Sequence, residues 1–285
     1  MNAQARMGIG LVGDSPAGAV MAQALAGAGH ALVGRSVPPE DRADHVEALL
    51  PGVPVMDVDD IIRRSEMVIL ASDGEALAHV VDDIEQKGLC QPGQIVCQTS
   101  TGESLATLAP VMAQGAITVR LVPLLPLTGH SLDIRRLRGA WCGVVAHGPV
   151  APIGQALALE MGMEALVITP EGEAAFNDSV ALATGQTHQF VQEALTPLLD
   201  AGVDFAPQAL QSLLHATIDG IIRQHATEQH TAEHPDGFSA SELLDMEGLG
   251  VEPPGPNSNG PSTEQTTTWP PERPTQLPRD PEDPA

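Results

Sequence analysis

The sequence is poor in basic residues. Among its 285 residues Lys87 is the one lysine, and 13 Lys and Arg stand against 37 Asp and Glu, which gives a formal net charge of -24. Binding to nucleic acid or to an anionic membrane requires clustered Lys and Arg, because phosphates carry the opposite charge. The composition therefore argues against both partners.

Cysteine and long apolar runs are also scarce. The three cysteines, Cys90, Cys97 and Cys142, form no C-x-x-C pair and are odd in number. We therefore expect reduced, buried thiols rather than a disulfide framework. No segment approaches the run of about 20 apolar residues that a membrane-spanning helix needs. These features together favour a cytoplasmic globular protein.

Short apolar segments alternate with helical segments over the first half of the chain. The strands are expected at residues 8–12, 31–34, 67–71, 94–97, 116–122 and 141–146, and the helices at 41–50, 59–64, 75–86 and 104–112. This alternation predicts an α/β fold with a Rossmann-like, mostly parallel sheet that helices cover on both faces.

The character of the sequence changes twice after this half, which predicts three parts. We expect a dinucleotide-binding domain at 1–148, a smaller all-helical domain at 149–226 and a tail at 227–285. The helical domain begins with a helix at 153–161 and a strand at 165–168, and long amphipathic helices follow at 170–199 and 207–226. The tail holds twelve acidic and two basic residues and is rich in proline. It is expected to be disordered, because it cannot bury enough apolar surface to offset the entropy of ordering.

A glycine-rich turn after the first strand predicts a dinucleotide site. The letters of the pattern G-x-G-x-x-G match Gly8, Gly10 and Gly13. That register would make a polar stretch the strand, whereas a shift of five residues makes residues 7–12 the strand and places the turn from Gly13 to Gly18. The middle glycine, which lets the backbone approach a pyrophosphate, is then Ser15. The phosphate loop is therefore expected at Gly13, Ser15 and Gly18, in an imperfect form.

The end of the second predicted strand indicates the type of cofactor. Arg35 and Ser36 stand where an acidic residue would bind the ribose 2'-OH of NAD and a basic residue would accommodate a 2'-phosphate. The sequence therefore favours NADP, with NAD less favoured. The alternative interpretation is an arginine in a surface loop.

Polar residues and a proline follow the later strands at the edge where open α/β sheets bind ligands. Ser72 and Asp73 follow the strand at 67–71, Ser100 follows the strand at 94–97, and Pro123 follows the strand at 116–122. We expect Ser72, Ser100 and Pro123 to lie near the nicotinamide and Asp73 to bind the cofactor. Helix capping is the alternative explanation for the hydroxyl side chains.

A short histidine pattern lies further along the chain. Residues His230 to His234 match H-x-x-E-H, a zinc-peptidase pattern. Pro235 and Gly237 interrupt the helix that such a site requires, so we expect no metal site.

Several segments together resemble a known group of proteins. They are IGLVG, AGHALVGRS, ALLPGVPV, QTSTG, PLTGHSLDIRRLRGAWCGVVA and TPEGEAAFNDSVALATGQTHQFV. They resemble actinobacterial Rossmann-like oxidoreductases with a C-terminal helical domain of uncharacterised function, which are similar to pyrroline-5-carboxylate reductase, ketopantoate reductase and 6-phosphogluconate dehydrogenase. The resemblance implies an NADP-dependent reductase of a small imine or 2-keto acid, with His188 as proton donor beside Ser100. It also implies a homodimer formed through the helical domain.

Three departures from that family pattern favour a second hypothesis. Ser15 replaces a phosphate-loop glycine, Val122 replaces a histidine, and Thr187 replaces the asparagine that precedes His188. The helical domain also lacks a lysine that could act in catalysis. The alternative is therefore a non-catalytic relative that binds a nucleotide or another protein.

Overall fold

The computed structural model describes residues 7–233, with side chains for residues 7–225. The chain divides into two compact units, with the division between Val203 and Asp204.

The first unit contains a seven-stranded sheet and most of the helices. The strands are β1 (Gly8–Gly13), β2 (Ala31–Arg35), β3 (Met67–Ala71), β4 (Ile95–Gln98), β5 (Ile117–Pro123), β6 (Trp141–Val145) and β7 (Glu164–Ile168). The helices are α1 (Pro16–Ala28), α2 (Ala43–Leu49), α3 (Val58–Arg64), α4 (Gly74–Lys87), α5 (Ala109–Ala113), α6 (Ser131–Arg136), α7 (Ala151–Glu160), α8 (Glu173–Ala181) and α9 (Thr187–Asp200). A π-helical segment, Leu182–Gln186, joins α8 to α9. The described part of the second unit is helix α10 (Ala206–Glu233).

The order of the strands places a ligand crevice beside β1. The order is β2-β1-β3-β4-β5-β6-β7. All neighbouring pairs are parallel except β5 and β6, which are antiparallel. The chain moves from β1 outward to β2 and then back to β3, on the other side of β1. Such a switch point leaves an open crevice beyond the carboxyl ends of β1 and β3.

The central strands are apolar because helices cover both of their faces. All five residues of β3 are buried. One face packs with α1 and α7 in a cluster that includes Met21, Leu25 and Leu157. The opposite face packs with α3 and α4 in a cluster that includes Ile61 and Leu77. This continuous burial explains why the strand sequences read as unbroken apolar runs.

Helix α1 has strong local signals at both ends. The Ser15 side chain accepts a hydrogen bond from the Gly18 N–H, and Pro16 occupies the first turn, where its missing N–H costs nothing. At the other end Gly29 adopts φ 108°, a left-handed conformation that terminates the helix. The sequence therefore fixes the start of α1 directly after the glycine turn.

The fold class predicted from the sequence is confirmed. The mostly parallel, Rossmann-like sheet is present and a helical region follows it. Strand β7 joins this sheet by pairing with β6, so the sheet continues past residue 148. Helix α10 likewise continues past residue 226, to Glu233. The predicted tail beyond that residue and His234 of the histidine pattern lie outside the described residues.

The cysteines are buried or partly buried thiols, as expected from the composition. Cys97 and Cys142 are buried, Cys90 is partly buried, and all three are free thiols. Burial raises the pKa of the Cys90 thiol to about 11 and that of Cys142 to about 12. Both therefore stay protonated and unreactive near neutral pH.

Within residues 7–233 no helix has the length and apolar character needed to cross a membrane.

The close approach of α1 to β3 gives a test of the fold. A Cβ at Gly18 would lie 2.2 Å from the Ala71 Cβ, whereas a Cβ at Gly27, in the same helix, would meet nothing within 4 Å. We expect Gly18→Ala to lower the free energy of unfolding by about 1–3 kcal/mol through overpacking. Gly27→Ala should leave it unchanged or raise it by up to about 1 kcal/mol, because alanine favours a helix. Urea unfolding of the two variants measures both effects, and equal stabilities would contradict the packing described here.

Candidate active site at the carboxyl ends of the strands

The turn from Gly13 to Gly18 packs tightly against the end of β3. Gly13 has φ 102°, and a Cβ there would lie 2.5 Å from the Ala71 carbonyl and from the Ser72 hydroxyl oxygen. Together with the contact of Gly18 described above, this approach leaves no room for a side chain at either position. Both glycines are therefore required for the turn to lie against β3.

Most N–H groups of this turn already have partners within the protein. The bonds run from Gly13 to the Ser36 hydroxyl oxygen (3.0 Å), from Asp14 and Ser15 to the Ala71 carbonyl (3.1 and 2.9 Å), and from Gly18 to the Ser15 hydroxyl oxygen (3.2 Å). Pro16 has no N–H group. Ala17 thus has the one N–H in this described turn that can still bind a phosphate oxygen at the start of α1.

A cavity of about 680 Å³ opens beside the turn. Its wall consists of residues 15–17, Asp73, residues 99–101, residues 123–127, Leu166, Phe176, Ser179, Val180, Ala183 and Thr184. The cavity therefore lies beyond the carboxyl ends of β1, β3, β4 and β5, and α8 with the start of the π-helical segment closes its other side. Most of its surface is apolar, as is usual for a small-molecule site.

Phe176 sets the width of the cavity from one side. Its ring rests on Gly143 of β6, where a Cβ would lie 2.4 Å from the Phe176 Cζ. The absence of a side chain at position 143 thus lets the ring lie back against the sheet.

Asp73 and Ser100 meet at the wall of the cavity. Partial burial raises the pKa of the Asp73 carboxyl, and the nearby carboxylates of Glu103 and Asp14 raise it further, while Arg42 and a hydrogen bond from Ser100 lower it. The Ser100 hydroxyl in turn accepts a 2.8 Å hydrogen bond from the buried Gln98 Nε2. These bonds fix the direction of the Ser100 hydroxyl.

A buried ion pair holds the two sides of the cavity together. Arg120 of β5 is fully buried, and its Nη1 lies 2.9 Å from the Glu173 Oε1 at the start of α8. Burial lowers the pKa of the Arg120 guanidinium, and the Glu173 carboxylate raises it. The same guanidinium donates to the carbonyls of Ser100 (3.0 Å) and Thr101 (2.9 Å) and to the Asn177 Oδ1 (2.9 Å). One side chain therefore positions both the loop after β4 and helix α8.

A second buried carboxylate shapes the loop after β5. Oδ2 of Asp133 accepts hydrogen bonds from the Thr128 N–H (2.6 Å), the Thr128 hydroxyl (3.0 Å) and the Gly129 N–H (3.0 Å). Its Oδ1 lies 2.7 Å from the Arg136 Nη1. Burial acts to raise the pKa of Asp133, but these hydrogen bonds outweigh it and hold the pKa below the ordinary value.

Arg35 lies at the end of β2 but is largely enclosed. Its Nη2 is 2.5 Å from the Glu47 Oε2 of α2, and the residue is 5% exposed. Its Nε and Nη1 are buried and have no hydrogen-bond partner. The neighbouring Ser36 hydroxyl already accepts the Gly13 N–H. Arg35 therefore has unused donors, but it also has a carboxylate partner.

The structure brings most of the predicted site residues together. Ser15, Asp73, Ser100 and Pro123 line the cavity. The contact between the turn and the end of β3 contains Gly13, Gly18 and Ser72. The sequence indicated these residues because it located the ends of the strands to within one or two residues.

His188 is placed differently from the other predicted residues. It is exposed on α9 and is not among the residues that line the cavity. Regular α-helical spacing from Val180 and Thr184 would bring residue 188 to the same face. The intervening π-helical segment turns the chain less per residue, so the face changes. The proton-donor role of His188 stays a prediction.

Four important residues were missed from the sequence: Gln98, Arg120, Asp133 and Glu173. Arg120 had a visible signal, because a charged residue interrupts the apolar strand ITVRLV. A buried arginine needs an anionic partner. Glu173 lies 53 residues further along the chain, and no local pattern connects the two.

The Arg120–Glu173 pair predicts a large effect of a single neutral substitution. Glu173→Gln leaves the Arg120 guanidinium buried without an anionic partner, so we expect a loss of about 3–5 kcal/mol in the free energy of unfolding. Asp178→Asn is the matched control, because it neutralises an exposed carboxylate on the same helix. Chemical denaturation compares them, and a similar stability of both variants would contradict this role of the pair.

Asp133 predicts a pH-dependent contribution to stability. Because its pKa is lowered in the folded protein, the ionised carboxylate stabilises the fold above the unfolded pKa of about 3.9, and this contribution is lost as pH falls through the lower folded value. Asp133→Asn should therefore cost about 1–3 kcal/mol at neutral pH. The difference from the wild-type chain should shrink below about pH 4. Unfolding measured between neutral and acidic pH tests this, and a constant difference would count against it.

Comparison with known proteins agrees with this architecture. Residues 2–123 match a family model described as a Rossmann-like domain. No curated protein matches the chain.

A proposed NADP oxidoreductase from Bacteroides fragilis has a TM-score of 0.61 at 12% identity, covering 86% of this chain and 96% of its own. An imine reductase from Pseudomonas sp. has a TM-score of 0.60 at 16% identity, covering 87% and 89%. The 1-pyrroline-5-carboxylate reductase of Streptococcus pyogenes has a TM-score of 0.56 at 16% identity, covering 86% and 92%. The chain therefore contains a Rossmann-like domain, and it shares its fold with these three proteins.

Proposed function

We propose that this protein is a reductase that uses a nicotinamide dinucleotide to reduce a small imine or 2-keto acid. The observation that carries the proposal is the cavity beyond β1, β3, β4 and β5, which has the start of α1 as one wall and apolar residues opposite. Parallel sheets bind dinucleotides at this edge. The reductase fold of the structural neighbours supports the same assignment.

The residues present fit such a cofactor at both of its ends. The glycine turn leaves the Ala17 N–H at the start of α1 for a phosphate oxygen, and Pro123 lines the cavity at the position proposed for the nicotinamide. At the far end Arg35 supplies a cation for a 2'-phosphate, and its side chain must turn outward to bind it, because its Nε and Nη1 are buried. When bound, the dinucleotide supplies a hydride.

NADP is the proposed cofactor, with NAD less favoured. Arg35 supports this choice because it places a positive charge at the end of β2. Glu47 opposes it, because its carboxylate pairs with the same guanidinium and would repel a phosphate. The preference for NADP therefore depends on how the guanidinium is shared between Glu47 and the 2'-phosphate.

The apolar wall of the cavity is suited to exclude water from the reacting centre. Residues 124–127 and Phe176 form much of this wall. Ser100 remains the catalytic candidate that lies within the cavity, where its hydroxyl is oriented by Gln98. The proposed homodimer through the helical region is supported by exposed apolar side chains on that region, namely Leu182, Phe190 and Leu199.

The glycine turn favours a second candidate function. Gly13, Asp14, Ser15 and Gly18 direct their N–H groups to partners within the protein, and Ser15 replaces the glycine that would admit a pyrophosphate. A phosphate loop that is degenerate in this way would suit a non-catalytic relative that binds a nucleotide weakly. Turnover separates this candidate from the reductase.

Cofactor binding by defined variants tests the proposal. We expect the wild-type protein to bind NADPH more tightly than NADH and to oxidise NADPH in the presence of a small imine or 2-keto acid. Loss of a charge-assisted contact in Arg35→Ala should weaken NADPH binding by about tenfold to a hundredfold and NADH binding much less. Glu47→Gln should tighten NADPH binding, because it removes the competing carboxylate. Isothermal titration calorimetry gives the affinities.

Arg63→Ala is the control, because it removes an exposed arginine of α3 that lies outside the site. Equal losses for both cofactors in Arg35→Ala would refute the assignment of Arg35. Tight NADPH binding with no turnover of either substrate class would favour the non-catalytic relative. A protein that binds neither dinucleotide would overturn the reductase proposal.

A further inference from the structure

The charges around the cavity restrict what it can bind. Among the described residues that line it, Asp73 is the one charged side chain, and none of them is Lys, Arg or His. A ligand carboxylate would therefore enter without a cationic partner, which is unfavourable in a mostly apolar site. A ligand cation, in contrast, would find one carboxylate in the wall of the cavity.

The surroundings of Asp73 strengthen this preference. The charged groups that face it are Glu103 and Asp14, which add negative charge, and Arg42. Arg42 is already paired with Asp14, with its Nη1 2.9 Å from the Asp14 Oδ2. The net charge around Asp73 is thus negative, and it favours a cationic ligand.

Ser100 and Gln98 hold this part of the wall in one arrangement. Gln98 is fully buried and donates from its Nε2 to the Ser100 hydroxyl at 2.8 Å, so the hydroxyl proton of Ser100 is free to point to Asp73. The Gln98 Oε1 has no hydrogen-bond partner. Gln98 therefore holds the Ser100 hydroxyl in place from behind the cavity wall.

We propose that Asp73 binds the cationic nitrogen of the substrate, which is an iminium ion that carries no carboxylate. This inference rests on the reductase function proposed above and narrows its substrate class, because it excludes 2-keto acids and imino acids. It also moves Asp73 from the cofactor residues, where the sequence placed it, to the substrate site. The cavity of about 680 Å³ has room for a cyclic or alkyl-substituted imine beside the nicotinamide.

The charge of the substrate also fits the reaction. Pairing with the Asp73 carboxylate favours the protonated form of the imine, which is the form that accepts a hydride readily. When the hydride adds to the iminium carbon, the C=N electron pair moves to nitrogen and the cation becomes a neutral amine. The amine then takes a proton from water and leaves, and Asp73 is unchanged.

The first test uses ligand pairs that differ by one carboxylate, and it needs no cofactor. We expect pyrrolidine, which is protonated at neutral pH, to bind the full-length protein in an NMR titration. Proline, which adds a carboxylate to the same ring, should bind at least tenfold more weakly. With NADPH present, 1-pyrroline should be reduced, and pyrroline-5-carboxylate and pyruvate should not.

Two variants and one control assign the effect to the cavity. Asp73→Asn should weaken pyrrolidine binding about threefold to fivefold while leaving dinucleotide binding within about twofold, and Asp178→Asn should change neither. Thr184→Lys adds a cation to the cavity wall, so it should gain binding of proline. This second variant keeps the test informative if Asp73→Asn does not fold.

Three results would overturn the inference. They are equal binding of proline and pyrrolidine to the wild-type protein, no gain of proline binding in Thr184→Lys, and a loss in Asp73→Asn that falls on the dinucleotide rather than on the amine. Pyrrolidine binding at Asp73 in a protein that binds no dinucleotide would support the site while refuting the reductase function. Reduction of pyruvate in preference to 1-pyrroline would refute the site while supporting a reductase.

Discussion

The buried pair of Arg120 and Glu173 is the interaction on which the candidate site depends. The Arg120 side chain starts on a central strand, and its donors reach the loop after β4 and the first turns of α8. These elements belong to opposite walls of the cavity, and a buried charge cannot give up its partners without a large desolvation cost. The cavity is therefore part of the folded core and does not need a ligand to form.

The sheet could be read from the sequence because its signals are local. The strand at 67–71 was located to the residue, since an unbroken apolar run between two turns has few other interpretations. Helix α6 was missed. It has six residues, and Asp133 stabilises it through contacts with the preceding loop rather than through helical periodicity. Short elements that depend on such contacts have no signature of their own.

The site was harder to predict than the fold because its residues act through distant partners. Arg35 ends β2, and Arg120 lies within β5. The sequence indicates these positions in the strands, but it does not show the partner of either side chain. Glu47 and Glu173 decide what each guanidinium can do, and both pairs form by tertiary folding. The position of His188 likewise depends on the hydrogen-bonding pattern of one helical segment, which composition does not reveal.

Gly143 influences the size of the cavity through its contact with Phe176, but it does not contribute to the chemistry of the cavity wall. Gly143 lies behind the ring and does not line the cavity, yet any side chain there would push the ring forward. Natural variation at this one position could therefore narrow the range of accepted substrates while every residue that touches them stays the same. Homologues with identical cavity walls could differ in selectivity for this reason, and a comparison limited to the lining residues would not detect it.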